Sequence, residues 1–213
     1  MTLTGLLGGS FNPAHRGHRK ISRQALEALG LDEIWWLVSP GNPLKPDEGM
    51  APLPARFASA RAAARGLPIR VTAIERQLGT RYTVDTLKAL RRRFPERQFV
   101  WLMGADNLAQ FHRWKDWREI ARTVPIAVLA RPGYKGDAHA ARAMGWMRRF
   151  VRPAGQARHW TKWRLPALVL LDLPLDPTSA TALRAASPGW HQKFPGTFQT
   201  KALRDGVTRR QLK

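Results

Sequence analysis

The segment GGSFNPAHRGH, Gly8 to His18, decides how this chain is read. An apolar run, Leu3 to Leu7, enters it, and two glycines, a proline and two histidines three residues apart follow. Beyond Gly17 the apolar positions Ile21, Ala25 and Leu29 recur four apart, the spacing of one helix face. The pattern predicts a buried strand, a turn and a helix over Gly17–Leu29. Gly8, Gly9 and Ser10 let a backbone approach a bulky anion, and the helix start aims unpaired N–H groups and its positive dipole end at the same place. Phosphate is the natural ligand of such a turn. Neither GxxxxGK followed by Ser or Thr nor GxGxxG can be read here, which excludes a P-loop and the usual dinucleotide fingerprint. His15 and His18 add donors beside the phosphates, and as imidazolium cations each would neutralise charge developing on a transferring phosphorus. A purely structural turn and a histidine metal site are the other readings of the same residues.

The strand-then-helix theme repeats along the chain. Apolar, β-branched or aromatic runs at Leu3–Leu7, Glu33–Val38, Ile69–Ile74, Gln98–Met103, Pro125–Ala130 and Ala167–Leu173 predict strands. Helices are predicted at Gly17–Leu29, Pro54–Arg65, Val84–Arg93, Trp117–Arg122, Ala138–Arg149 and Ser179–Ala186. This alternation predicts an α/β class, a Rossmann-like, doubly wound parallel sheet in a single domain. Ligands of such sheets bind beyond the carboxyl ends of the strands, and the predicted strand ends carry glycine or polar groups, as in SPGNPLK, Ser39 to Lys45. Arg152 to Arg164 (RPAGQARHWTKWR) reads as an irregular, basic surface connection, and SPGWHQKFPGTFQ, from Ser187, as a loop. The domain is expected to cover residues 1–190, with 191–213 a basic C-terminal tail whose composition suits a flexible segment.

Composition narrows the class of function. The chain has 213 residues, 44% of them hydrophobic, enough to bury a substantial core. No apolar run is long enough to span a bilayer, and no basic region precedes a long apolar stretch, so neither a spanning helix nor a signal peptide is expected and the location is expected to be cytoplasmic. Cysteine is absent, which excludes disulfides and thiolate metal sites. Lys and Arg number 36 against 15 Asp and Glu, a formal net charge of +21 that steers anionic ligands inward. The cations are scattered rather than gathered in a tail, and no stacking motif or recognition-helix signature is present. Specific nucleic acid is therefore not expected as a partner, nor is a membrane. Oligomeric state is not encoded in any of these features.

These residues carry a resemblance. GGSFNPAHRGH is similar to the GGSFDPxHxGH signature of the nucleotidylyltransferase superfamily, and TSATALR, Thr178 to Arg184, resembles its second signature, ISSTxIR. Between them, NPLK, RYTVDTL, GADNL and WKDW occur in the order seen in the bacterial nicotinate-nucleotide adenylyltransferase family. The resemblance implies transfer of AMP from ATP to nicotinate mononucleotide, with release of pyrophosphate, in NAD biosynthesis. It implies Mg²⁺ as cofactor and direct attack by the acceptor phosphate on the α-phosphorus, with no protein nucleophile and no set of protein metal ligands. Catalysis is then positioning and charge stabilisation.

Carried over by position, His15, His18, Lys45 and Arg184 are the catalytic group, with His18 nearest the reacting centre. Gly8, Gly9, Ser10, Phe11, Gly104, Asp106, Ser179 and Thr181 are the expected ATP-binding residues. Tyr82, Thr83 and Trp117 are expected to hold the nicotinate nucleotide, Trp117 by stacking on the pyridine ring while Trp114 serves packing. Simple structural roles compete at several of these positions: Ser179, Thr83 and Asp106 suit helix caps, and Lys45 a solvated loop. The sequence departs from the family pattern at Asn12, where the family has Asp, and at Ala14, Thr178 and Ala180. Another acceptor, such as nicotinamide mononucleotide or phosphopantetheine, is the nearest alternative, and a basic nucleic-acid-binding protein a more distant one.

Overall fold

The computed structural model describes residues 1–41, 49–130, 140–172, 178–194 and 203–212. Its frame is a parallel sheet in the order β3-β2-β1-β4-β5-β7-β6, comprising β1 (Thr2–Gly9), β2 (Glu33–Val38), β3 (Ile69–Thr72), β4 (Arg97–Gly104), β5 (Ile126–Ala130), β6 (Val151–Arg152) and β7 (Leu168–Asp172). Helices flank both faces: α1 (Arg16–Leu29), α2 (Leu53–Ala64), α3 (Ile74–Leu78), α4 (Thr83–Arg93), α5 (Ala105–Gln110), α6 (Trp117–Thr123), α7 (Met144–Met147) and α8 (Ala180–Ala186).

The side-chain alternation of a strand divides the core in two. Leu6, Trp35, Phe99 and Trp101 point to one face and pack with residues of α4 and α6, including Leu87 and Ile120. Their neighbours Leu7, Trp36, Val100 and Leu102 point to the other and pack with Ala25, Leu29 and Phe57 of α1 and α2. All of β2 is buried, so its polar atoms need partners. Trp36 donates Nε1–H to Ser22 Oγ at 2.8 Å, Trp35 to Glu33 Oε1 at 2.7 Å, and Glu33 is flanked by the guanidinium groups of Arg70 and Arg97. Helix α1 buries Gly17, Ser22, Ala25 and Leu29 and stops at Gly30, whose φ of 63° is the left-handed conformation that glycine adopts at little cost.

Several expected boundaries move. The third strand ends at Thr72, because Ile74, although fully buried, opens a short helix. The basic run expected to be an irregular surface connection contributes the edge strand β6 and a 3-10 segment, Ala154–Lys162, that buries Ala157 and Trp160 against α1. Trp160 is anchored there by Nε1–H donated to the Leu29 carbonyl at 3.0 Å. The helix expected over Ala138–Arg149 partly lies outside the described residues; within them it is reduced to α7 and a 3-10 turn, Arg148–Phe150. In the expected loop, Trp190 opens a 3-10 turn and is buried.

Residues 203–212, within the basic C-terminal segment, lie against β3, with the Gly206 N–H donating to the Val71 carbonyl at 2.8 Å. Asp205 is fully buried, and its carboxylate accepts from Thr72 Oγ1 and from the backbone N–H groups of Ala73, Val207 and Thr208 at 2.8–2.9 Å. No helix among the described residues is long and apolar enough to cross a membrane.

Candidate active site

From β1 the chain winds outward through β2 to β3, and from β4 it winds the other way, so the switch point lies between β1 and β4. A cleft of about 850 Å³ opens there. Gly8, Gly9 and Ser10 line it from the end of β1, His15 and His18 from the start of α1, Gly104 and Asp106 from the end of β4 and α5, Tyr82 and Thr83 from α4, and Ser179 from α8. Ten of the sequence-predicted residues are thus brought together, from the ends of β1 and β4 and the starts of α1, α4, α5 and α8. Phe11, Thr181, Arg184 and Trp117 do not line the cleft, and Lys45 lies outside the described residues.

The two signatures are bonded to each other. Arg184 donates to the Asn12 carbonyl at 2.6 Å and to Thr181 Oγ1 at 3.3 Å, so its guanidinium braces the first turn from the second. A Cβ at Gly17 would lie 2.9 Å from the His15 ring and 3.3 Å from the Thr178 carbonyl, so any larger residue would wedge the signatures apart. Ser179 Oγ accepts from the Ala182 N–H at 3.1 Å; the residue caps α8 and lines the cleft at once. Asn12 acquires a reason. Its amide donates to the Gly49 carbonyl at 3.0 Å and accepts from the Ala51 N–H at 3.2 Å, and an aspartate could make only the second bond.

The histidines form a reciprocal cap on α1. Gly17 N–H donates to His15 Nδ1 at 3.1 Å, and His15 N–H donates to His18 Nδ1 at 3.2 Å. With Nδ1 occupied as an acceptor, the proton of each neutral ring sits on Nε2. His18 keeps an edge at the cleft, but its ring is packed 4.8 Å from Phe11, 6.0 Å from Trp36 and 4.0 Å from His15. Burial, and secondarily the neighbouring His15, hold its pKa down to about 3. The expectation that His18 acts as an imidazolium is therefore not met: burial favours its neutral Nε2–H form.

Glu75 was not singled out from sequence. It lines the cleft from α3 and accepts from Thr86 Oγ1 at 3.2 Å. Burial pushes its pKa up to about 7, against the weaker opposing pull of the Thr86 bond, so it presents an uncharged carboxyl below neutral pH. A raised native pKa gives stability that is complete below the unfolded value and lost as pH rises through about 4.5 to 7. For His18 the sign reverses: the unfolded chain takes up a proton that the native state refuses, so stability falls as pH drops from about 6.5 toward 3. Unfolding by denaturant at a series of pH values separates the two. A Glu75→Gln variant is expected to gain stability relative to the parent as pH rises from 4.5 to 7 and to level off above it; a difference constant across this range would contradict the assignment.

The other side of the cleft is built by α4 and the chain before α6. Tyr82, not Thr83, occupies the cap position of α4, and its side chain makes no capping bond. The N–H groups of Thr83 and Val84 have no acceptor among the described residues. Arg81, Arg113 and Lys115 line the same region, with Lys115 Nζ 4.6 Å from the centre of the Tyr82 ring. None of these three was legible as a site residue in a chain this rich in cations. The two tryptophans of WKDW are placed differently from expectation. Asp116 adopts a left-handed backbone, φ 47°, which turns the chain between them. Trp117 is directed into packing against Phe111 and Trp146, at 5.7 and 5.4 Å, whereas Trp114 lines the cleft, edge-on to Trp101 and Phe111.

Such a cleft, with helix starts and cations facing a glycine turn, defines a nucleotide-binding α/β protein. Residues 6–186 match the family model described as cytidylyltransferase-like, and the chain belongs to that family. Within it the chain belongs with the nicotinate-nucleotide adenylyltransferases: it is 61% identical over 98% of its length to 94% of the protein of Erythrobacter litoralis called "Probable nicotinate-nucleotide adenylyltransferase". It is 52% identical to the protein of the same name in Ruegeria pomeroyi, over 92% of this chain and 91% of that one. Among solved structures, a Plasmodium falciparum nicotinic acid mononucleotide adenylyltransferase complexed with NaAD superposes with a TM-score of 0.63 at 14% identity, covering 87% of this chain and 83% of that one, a likeness of fold.

Proposed function

We propose that the protein transfers the adenylyl group of ATP to nicotinate mononucleotide, forming nicotinate adenine dinucleotide and releasing pyrophosphate. The observation that carries this reading is one cleft with two differently built ends: a glycine turn with two Nε2–H donors at one, and the unpaired N–H groups of α4 beside Trp114 at the other. The names of the relatives support the same reaction.

In this reading the triphosphate lies over Gly8–Ser10, and His15 and His18 donate Nε2–H bonds to oxygens whose charge rises as the bond to pyrophosphate breaks. Asp106 accepts from a ribose hydroxyl; a Cβ at Gly104 would sit 2.3 Å from its carboxylate, so glycine there leaves room for the acid. Among the described residues, no three His, Cys, Asp or Glu side chains converge as a metal cage. Mg²⁺ is proposed to enter with the nucleotide phosphates, where it would screen charge on the triphosphate. Lys45 is proposed to reach the same phosphates, and Arg184 to support them through Asn12 and Thr181. Tyr82 and Thr83 receive the acceptor at the start of α4, with its acid on the Thr83 and Val84 N–H groups and its ring against Trp114.

The stack is tested by substitution. Trp114→Ala is expected to raise KM for nicotinate mononucleotide roughly tenfold, since an aromatic stack contributes about 1–2 kcal/mol, while leaving KM for ATP near the parent value. Trp117→Ala is expected to lower thermal stability with little effect on either KM. The reverse pattern would return the stacking role to Trp117. The reaction itself is tested by pyrophosphate release from ATP with a panel of acceptors, where release only with an acceptor other than nicotinate mononucleotide would overturn the proposal.

A further inference from the structure

We infer that Arg56 is a positioning residue for this reaction, a buried guanidinium that pins two loops from beneath the cleft and turns their N–H groups toward the nucleotide phosphates. The inference rests on the reaction proposed above.

Arg56 projects from α2 and is 1% exposed. Its Nε donates to the Ala51 carbonyl at 2.8 Å, Nη1 to the carbonyls of Ser10 and Ser39 at 2.8 and 2.7 Å, and Nη2 to that of Pro40 at 3.3 Å. Ser10 follows β1, and Ser39 and Pro40 follow β2, so one side chain ties together the loops at the ends of two adjacent strands. Both Ser10 and Ser39 line the cleft. The rigid fork of an arginine, unlike the single point of a lysine, fixes several carbonyls at once.

The consequence follows from the planarity of a trans peptide, in which C=O and the next N–H point to opposite sides. With the Ser10 and Pro40 carbonyls drawn to Arg56, the N–H groups of Phe11 and Gly41 are turned away from it, Gly41 lining the cleft itself and Phe11 lying directly after the lining residue Ser10. Neither N–H has an acceptor among the described residues. Phe11 also holds a φ of 47°, a conformation few residues other than glycine adopt, and its ring is clamped 5.0 Å from Trp36. Strain at Phe11 is thus held from two sides, by ring packing and by the grip of Arg56 on the preceding carbonyl. Ser59, one turn further along α2, adds a third brace by accepting the Ala14 N–H at 3.2 Å. The positive charge of the guanidinium also attracts phosphate through the turn.

The test compares Arg56→Lys and Arg56→Met with the parent, reading thermal stability, calorimetric affinity for ATP without acceptor, and KM for each substrate. ATP affinity is expected to fall about tenfold or more in Arg56→Met and by a smaller factor in Arg56→Lys, with KM for nicotinate mononucleotide changed less than about twofold. A purely structural role would weaken both substrates together or lower stability alone, and either pattern would overturn the inference. So would a folded Arg56→Met that binds ATP like the parent; if that variant does not fold, unchanged ATP affinity in Arg56→Lys has the same force. Because ATP binding is read without acceptor, a wrong acceptor would show in the turnover assay and leave this comparison intact.

Discussion

Replacing His18 with alanine is expected to lower turnover with ATP and nicotinate mononucleotide by ~10²-fold or more, because a preorganised donor at a reacting phosphate is typically worth that much. The geometry strengthens the expectation. His15 N–H fixes His18 Nδ1 as an acceptor, so the proton is already on Nε2 and no rearrangement precedes donation. The ring also fills space beside Phe11 and Trp36, so a stability loss of about 1–3 kcal/mol should accompany the change. Steady-state turnover, read alongside thermal unfolding to show that the variant is folded, checks this. A folded His18→Ala enzyme with near-normal turnover would contradict the role assigned to His18.

The second large effect concerns the acceptor. Nicotinate mononucleotide is expected to be preferred over its nicotinamide counterpart by roughly 10²-fold or more in kcat/KM, because charge-assisted bonds replace an amide NH₂ that would face donors. In the proposed site the N–H groups of Thr83 and Val84, which have no acceptor among the described residues, favour a carboxylate, and Arg81 and Arg113 of the same cleft add to the attraction, while Lys115 is shared with Asp85. Glu75 does not oppose it below neutral pH, since burial raises its pKa to about 7. Comparing the two mononucleotides under identical conditions decides the matter. Equal values, or preference for the amide, would remove the acid-selective site while leaving adenylyl transfer standing.

The sheet and the location of the cleft were legible in the sequence because their signals are local. Leu3–Leu7 and Glu33–Val38 are apolar runs bounded by breakers, and a parallel strand buried on both faces has no other pattern. GGSFNPAHRGH carries its own turn and helix start. Signals that depend on tertiary partners were not legible. Asp205 lies in a basic stretch that composition marks as mobile, and only the donors of Thr72 and Ala73, far away in sequence, explain why it is buried. Trp160 looks solvated among Arg158, His159 and Lys162 until the Leu29 carbonyl meets its N–H. Arg56 sits in a helix of alanines and arginines and differs from Arg61 only in what surrounds it. That Trp114 and not Trp117 lines the cleft goes with a left-handed backbone at Asp116, which the motif WKDW does not reveal. The lowered pKa of His18 is not legible in the sequence, because two histidines beside a phosphate turn suggest cations, whereas burial among aromatic rings disfavours the charge.

The central claim, adenylyl transfer to nicotinate mononucleotide, is tested most directly by following the α-phosphorus. ATP labelled at that atom is incubated with the enzyme, Mg²⁺ and nicotinate mononucleotide, and the products are separated. The label is expected in nicotinate adenine dinucleotide, with unlabelled pyrophosphate released in equal amount. Label that stays in ATP, or that passes to another acceptor and not to nicotinate mononucleotide, would contradict the account.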